Sequence, residues 1–204
     1  MAGRTVSAEP RADARRNRET LLAVAREVFD EQGTDASLRD VARRAGVGIG
    51  TLYRHFPTRD ALLEAVLRTG LENMRAAAEK AIESDSPRDA LIGWLRLFSE
   101  RSGACRGLPA SVLGALGDDE SELHASSSAM MHAAERLLTR AQEAGEVRPD
   151  VTAEELFAAS AALGWVAEYS GRKRAERILA LLGDGLAKQD CLPTGSDRAA
   201  GPVS

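Results

Sequence analysis

The stretch DVARRAGVGIGTLYRHF, Asp40 to Phe56, decides the fold. Gly46, Gly48 and Gly50 crowd together directly ahead of Thr51, Tyr53, Arg54 and His55. Glycines at alternate positions suit a phosphate-cradling loop, a flexible linker or a segment packed against another backbone, so the flanking pattern has to arbitrate. Upstream, Ser37 is a good helix N-cap and Asp40 stands in the first turn, where its charge favours the positive end of the helix dipole. Leu38, Val41, Ala42 and Ala45 then recur at helical steps as far as Gly46. Downstream, Thr51 to His55 makes a short helix that Pro57 closes. Two short helices joined by a tight glycine turn are the helix-turn-helix geometry. Ala42 is small where the helices cross, Gly46 takes the left-handed turn, and Val47 and Leu52 set the angle between the helices.

Outward from this centre the chain reads as helix, because apolar residues recur at three- and four-residue steps and strand-like alternation is absent. A first helix runs from Arg18 to Gln32 with Leu21, Ala25, Val28 and Phe29 on one face, and Gly33 stops it. Thr58 caps a fourth helix that continues to about Glu83 through Leu63, Val66, Leu67, Gly70 and Met74. Ser86 and Pro87 restart a helix carrying Leu91, Trp94, Leu95 and Phe98. A short helix follows from Pro109 to Leu116, then a longer one over 121–143. Thr152 and Glu155 form a capping box that opens a helix to about Tyr169, and the last helix spans Arg172 to Ala187. The fold class is all-α with about nine helices, three short ones and then a larger bundle. The expected division is a disordered arm (1–14), a helix-turn-helix head (15–60), a helical body (61–187) and a disordered tail (188–204).

Composition agrees with an ordinary globular protein: 204 residues, 44% apolar, 28% charged. No apolar run is long enough to cross a bilayer, and the arginine-bearing N-terminus has no apolar segment of the secretory kind, so a cytoplasmic location is expected. Cys105 and Cys191 stand far apart, and no close-spaced Cys/His set implies a metal or cofactor. The net charge of −4 hides an asymmetry. Residues 1–60 carry 11 Arg against 9 Asp and Glu, whereas the remainder carries 16 basic against 22 acidic side chains. A basic front and an acidic back suit a DNA-reading head on a larger body. The chain has no nucleophile elbow, P-loop or metal-ligand cluster, and the acidic run from Asp118 to Glu122 reads as a solvated turn, so no enzyme is expected.

GVGIGTLYRHFPTRDALLEAV resembles the signature of the TetR family of bacterial transcriptional regulators. The family pattern of Thr, an aliphatic residue, Tyr, any residue, His and Phe, followed by a basic residue and Ala-Leu, is matched by Thr51, Leu52, Tyr53, His55, Phe56, Arg59, Ala61 and Leu62. The resemblance implies a homeodomain-like three-helix head on a ligand-binding and dimerisation body. It implies DNA contact from Ser37, Arg39, Gly48, Ile49, Gly50, Thr51, Tyr53, Arg54, His55 and Arg59. Among these, Ile49 and Gly50 lie where members read bases, Arg59 would clamp a phosphate, and Arg54 is alternatively a solvated surface residue, as are Arg43 and Arg44. Phe56 is expected to pack under the first and fourth helices. The arginines at 11, 15, 16 and 18 are open to two readings, a DNA-contacting arm or a plain disordered lead.

The body, RGLPASVLGALGDD and RILALLGDGL included, is similar to the SbtR-like subgroup of that family. The resemblance implies a homodimer through the last two helices, with Leu156, Ser160, Leu163, Gly164, Ala167, Ile178, Leu181, Leu182, Gly185 and Leu186 at the interface; intramolecular core positions are the alternative. It also implies a largely apolar small-molecule effector bound among the body helices, with Trp94, Phe98, Arg101, Leu113, Met130, Met131, His132, Leu137, Phe157 and Trp165 as candidate lining. His124 and Glu135 are further candidate polar anchors. The expected partners are therefore a palindromic double-stranded operator, a second copy of the chain and an effector, with no membrane. A regulator of this fold without a small-molecule switch is the alternative.

Overall fold

The computed structural model describes residues 9–102 and 107–187, and these form nine helices with no strand among the described residues. Cys105, Cys191, the tail from 188 and the first eight residues of the expected arm lie outside them. The helices are α1 (Glu9–Gln32), α2 (Leu38–Arg44), α3 (Ile49–His55), α4 (Arg59–Ala81), α5 (Pro87–Ser102), α6 (Ala110–Gly117), α7 (Glu122–Glu143), α8 (Ala153–Ser170) and α9 (Arg172–Leu186). The first begins at Glu9, not at Arg18. Its added turns are polar and bear intrahelical ion pairs, Arg16 to Asp13 at 2.6 Å and Arg15 to Glu19 at 3.5 Å, so helical continuity there leaves no apolar periodicity to read.

Most boundaries follow local chemistry. Gly33 ends α1 at φ 83°, its amide donating to the Phe29 carbonyl at 2.9 Å. Thr58 caps α4 by accepting from the Ala61 amide at 3.0 Å, and Ser121 caps α7 by accepting from the His124 amide at 2.9 Å. The capping box at α8 is complete: Thr152 Oγ1 accepts from the Glu155 amide at 3.2 Å, and Glu155 Oε2 accepts from the Thr152 amide at 2.9 Å. Ser37 departs from expectation. It occupies the N-cap of α2 in extended conformation, but its hydroxyl makes no capping bond.

Two hydrophobic cores share α4. The first gathers Leu21, Val28, Val41, Leu52, Phe56 and Leu62 from the first four helices, and it reaches Val112 of α6 and Leu123 of α7. The second gathers Met74, Leu91, Trp94, Leu137, Leu163 and Leu179 from α4, α5 and α7–α9. Trp94 anchors the second core. Its indole N–H donates to the Met74 carbonyl at 2.9 Å, satisfying a buried donor, and its ring stacks on Phe98 with centroids 5.5 Å apart. One continuous helix therefore belongs to both cores, and its close-packed side chains join them.

Candidate nucleic-acid interface and ligand cavity

The turn between α2 and α3 is a Schellman motif built on Gly46. At φ 70° this glycine adopts the left-handed conformation, its amide donates to the Arg43 carbonyl at 3.2 Å, and the Val47 amide donates to the Ala42 carbonyl at 3.0 Å. Both closing bonds re-use carbonyls that the end of α2 would otherwise leave unpaired. Gly48 then caps α3 with an extended backbone, and the chain enters the third helix.

Leu52 is fully buried and pins α3 to the head, while Gly50, Tyr53 and Arg54 face outward and Thr51 and His55 are half-buried. Tyr53 is 48% exposed, a large aromatic on a polar face. Ile49 packs partly against the first core, so only part of its side chain faces outward. Arg54 folds back along its own helix, Nη2 donating to Thr51 Oγ1 at 2.9 Å and Nε to the Gly50 carbonyl at 3.3 Å. A Cβ added at Gly48 or Gly50 would meet no heavy atom of the protein within 4 Å. Nothing among the described residues calls for glycine there.

The arginines of the head divide into two kinds. Arg44 pairs with Glu31 at 2.8 Å and with Asp40 at 3.0 Å, and Arg43 also pairs with Asp40, whose carboxyl the Arg43 guanidinium holds below the usual carboxylate range. Their charges are spent within the head, as a solvated surface role requires. Arg39 and Ser37 stand exposed at the start of α2, and Arg39 has no ion pair among the described residues. Arg59 has a duty the sequence does not announce: Nη1 donates to the Thr34 carbonyl at 2.8 Å and to the Ala36 carbonyl at 2.7 Å. This nitrogen ties the start of α4 to the α1–α2 loop and so frames the head.

A cavity of about 120 Å³ lies at the junction of head and body. Its walls come from Arg26, Phe29 and Asp30 of α1, Thr34 of the following loop, Leu63 to Met74 of α4, Phe98 to Ser102 of α5, and Leu108, Leu116 and Met130. Of the expected lining only Phe98, Arg101 and Met130 belong to it. Trp94 and Leu137 are buried in the second core, and Phe157 fills space edge-on against both Trp94 and Phe98. Leu113, Met131 and Trp165 are exposed, and His132 sits on the surface 3.5 Å from Glu135. His124 is engaged with the Leu116 carbonyl at 2.9 Å, outside the cavity lining. Aromatic and Met content marks where apolar residues are dense but not where packing leaves a gap, and the α1 wall carries no signal in sequence.

The expected interface set also divides. Leu156, Ser160, Leu163, Gly164 and Leu186 are buried within the chain, because α8 lies between α5 and α9 and spends that face on them. Ala167 and Ile178 are half-buried, whereas Leu181, Leu182 and Gly185 face outward. Trp165 and Tyr169 of α8 are also exposed, with ring centroids 4.9 Å apart. Leu181 is 68% exposed. Helices α8 and α9 therefore bear large outward apolar side chains, the kind of surface that marks a protein contact.

Residues 21–66, the span of the helix-turn-helix, match the family described as bacterial regulatory proteins of the tetR family. Residues 86–188, just over half the chain, match the transcriptional regulator SbtR-like C-terminal domain. The chain belongs to the TetR family of transcriptional regulators. It is 37% identical to a TetR transcriptional regulator from Streptomyces coelicolor, over 84% of this chain and 99% of that one, with a TM-score of 0.70. A TetR transcription regulatory protein from Mycobacterium vanbaalenii is 32% identical over 87% of this chain and 98% of its own, with a TM-score of 0.64. An HTH-type transcriptional regulator of Staphylococcus aureus (strain USA300) is 38% identical over 63 residues, 30% of this chain. The chain spans about a third of the length of such relatives, 34% in this case. RolR in complex with resorcinol shares the fold, at 22% identity and a TM-score of 0.53. TetR membership makes the protein a DNA-binding transcriptional regulator rather than an enzyme, and no helix among its described residues is long and apolar enough to cross a membrane.

Proposed function

We propose that this TetR regulator is a cytoplasmic homodimeric repressor that binds a palindromic operator through α3 and is released by a small molecule in the head–body cavity. The cavity's position carries the reading. One wall is α1 of the head and the others belong to the body, so a bound molecule touches the elements that must shift if the two heads are to leave the operator spacing. A ligand moves that equilibrium only by its differential affinity for the two arrangements, and a cavity at the moving joint is where such a difference arises.

In the proposed contact the exposed Arg39, Ser37 and Tyr53 and the half-buried Thr51 engage the DNA backbone, with His55 at the far end of α3. Gly48 and Gly50 let the backbone approach closely, and Ile49 offers its outward portion to a base edge. Arg54 leaves Thr51 for a phosphate when DNA binds. Dimerisation through Trp165, Tyr169, Leu181 and Leu182 would set the half-site spacing by the two-fold axis. A regulator without a small-molecule switch is less well supported, because a pocket filled by its own side chains would be its mark and this joint holds open space. The test is a fluorescence-anisotropy titration of the intact protein against DNA from upstream of its own gene. Specific binding that an added ligand reverses supports the reading, and binding indistinguishable from that of scrambled DNA overturns it.

A further inference from the structure

The cavity's chemistry narrows what it takes. Most of its wall is apolar, from Phe29, Leu63, Leu67, Met74 and Phe98 among others. Its two lining hydroxyls are already committed as donors: Thr34 Oγ1 donates to the Gly107 carbonyl at 2.6 Å, and Ser102 Oγ donates to the Phe98 carbonyl at 2.8 Å. The remaining donors are two guanidiniums, Arg26 and Arg101, and the lining carboxylate between them in charge is Asp30. Asp30 pairs with Arg26 at 3.6 Å, leaving one positive charge in excess. Arg101 has no hydrogen bond or ion pair among the described residues, and its neighbour Glu100 is occupied by Arg172 at 2.6 Å. Gly70 keeps room for this arrangement, since a Cβ there would stand 3.2 Å from Arg26 Nη1.

We infer that the cavity takes a small amphipathic monoanion, a carboxylate on a compact apolar body, with the carboxylate on Arg101 and the body against α4 and Phe98. Half-burial lowers the pKa of Arg101 first, the like charge of Arg26 adds to this, and Asp30 and Glu100 oppose it. A cation with no ion pair among the described residues, set in a mostly apolar wall, is an unfavourable arrangement that an anion relieves, and charge-assisted bidentate pairing is the strongest bond arginine offers. A neutral amide of the same shape can accept from Arg101 but supplies no counter-charge.

This inference rests on the reading of the joint as the effector site, but its test separates the two. Isothermal titration of the DNA-free, full-length protein with phenylacetate and hexanoate, against phenylacetamide and hexanamide, reads the ligand class alone. The carboxylates should bind about 10- to 100-fold more tightly than the amides, the range set by a hydrogen bond to a charged group. Arg101→Met should erase that preference and raise the ligand-free melting temperature, whereas loss of a purely structural arginine would lower it. Arg101→Gln, which removes the charge but keeps a polar side chain, should also erase the preference and serves if the Met variant fails to fold. Equal binding of amides and carboxylates, an unchanged preference in both folded variants, or no binding of either carboxylate up to its solubility limit overturns the inference. Carboxylate binding that depends on Arg101 but leaves operator affinity unchanged supports it and refutes the effector-release reading instead.

Discussion

Gly46 and Gly50 look alike in the sequence and differ in what a methyl group would do to them. At φ 70° a side chain on Gly46 is strained, so Gly46→Ala should cost about 1–2 kcal/mol of stability in a urea melt. Gly50 lies inside α3 at an ordinary φ with open space where its Cβ would stand. Gly50→Ala should leave stability unchanged or raise it by up to about 1 kcal/mol, since alanine is the better helix former. If that added methyl nonetheless weakens operator binding in an anisotropy titration, the demand for glycine comes from the DNA side. Equal DNA affinity for Gly50→Ala and wild type would mean that close backbone approach is not used there. The phosphate-loop reading of the glycine cluster thus resolves into one backbone requirement at Gly46 and one proposed surface requirement at Gly48 and Gly50.

At the scale of elements, Arg59 and Tyr53 are paired in the family signature but do different things in the fold. Arg59 holds the α1–α2 loop to α4 through two carbonyls, so Arg59→Ala should cost roughly 1–3 kcal/mol of stability and weaken DNA binding as a consequence. Tyr53→Ala, at an exposed position, should change stability by less than about 0.5 kcal/mol and still weaken DNA binding. Melting temperatures and operator affinities measured on both variants separate the roles, and equal destabilisation by both would contradict the distinction. The head is legible in the sequence because each residue type answers a local demand: a left-handed turn, a small crossing residue, a cap, a polar outward face. The order of the body helices and the capping box at Thr152 are legible for the same reason. Arg59's duty is not, because a guanidinium bonding to carbonyls leaves no trace in spacing. Neither is the cavity, whose walls bring Arg26 and Gly70 together from separate helices. The outward side of α8 and α9 is a third case: apolar periodicity marks Leu163 and Leu181 alike, and only packing shows that one is inside and the other outside.

Across the whole molecule, the exposed Trp165, Tyr169, Leu181 and Leu182 are costly in a lone chain and useful in a pair. Leu181→Glu should leave the helical content intact, because the side chain meets solvent and not the core. It should convert dimer to monomer in light scattering and reduce operator affinity by about 100-fold or more, as two linked heads become one. A monomeric wild type would remove this part of the account. Reading of DNA through α3 can be measured. Anisotropy titration of the intact protein against its own upstream DNA and a scrambled duplex, repeated across salt concentrations for wild type and Tyr53→Ala, should give three results. Wild type should prefer its own sequence by about 1,000-fold or more, its affinity should fall linearly on a log–log plot against salt, and Tyr53→Ala should bind more weakly with its fold intact. Equal affinity of wild type and Tyr53→Ala for both duplexes at every salt concentration would contradict the assignment of α3 as the reading helix.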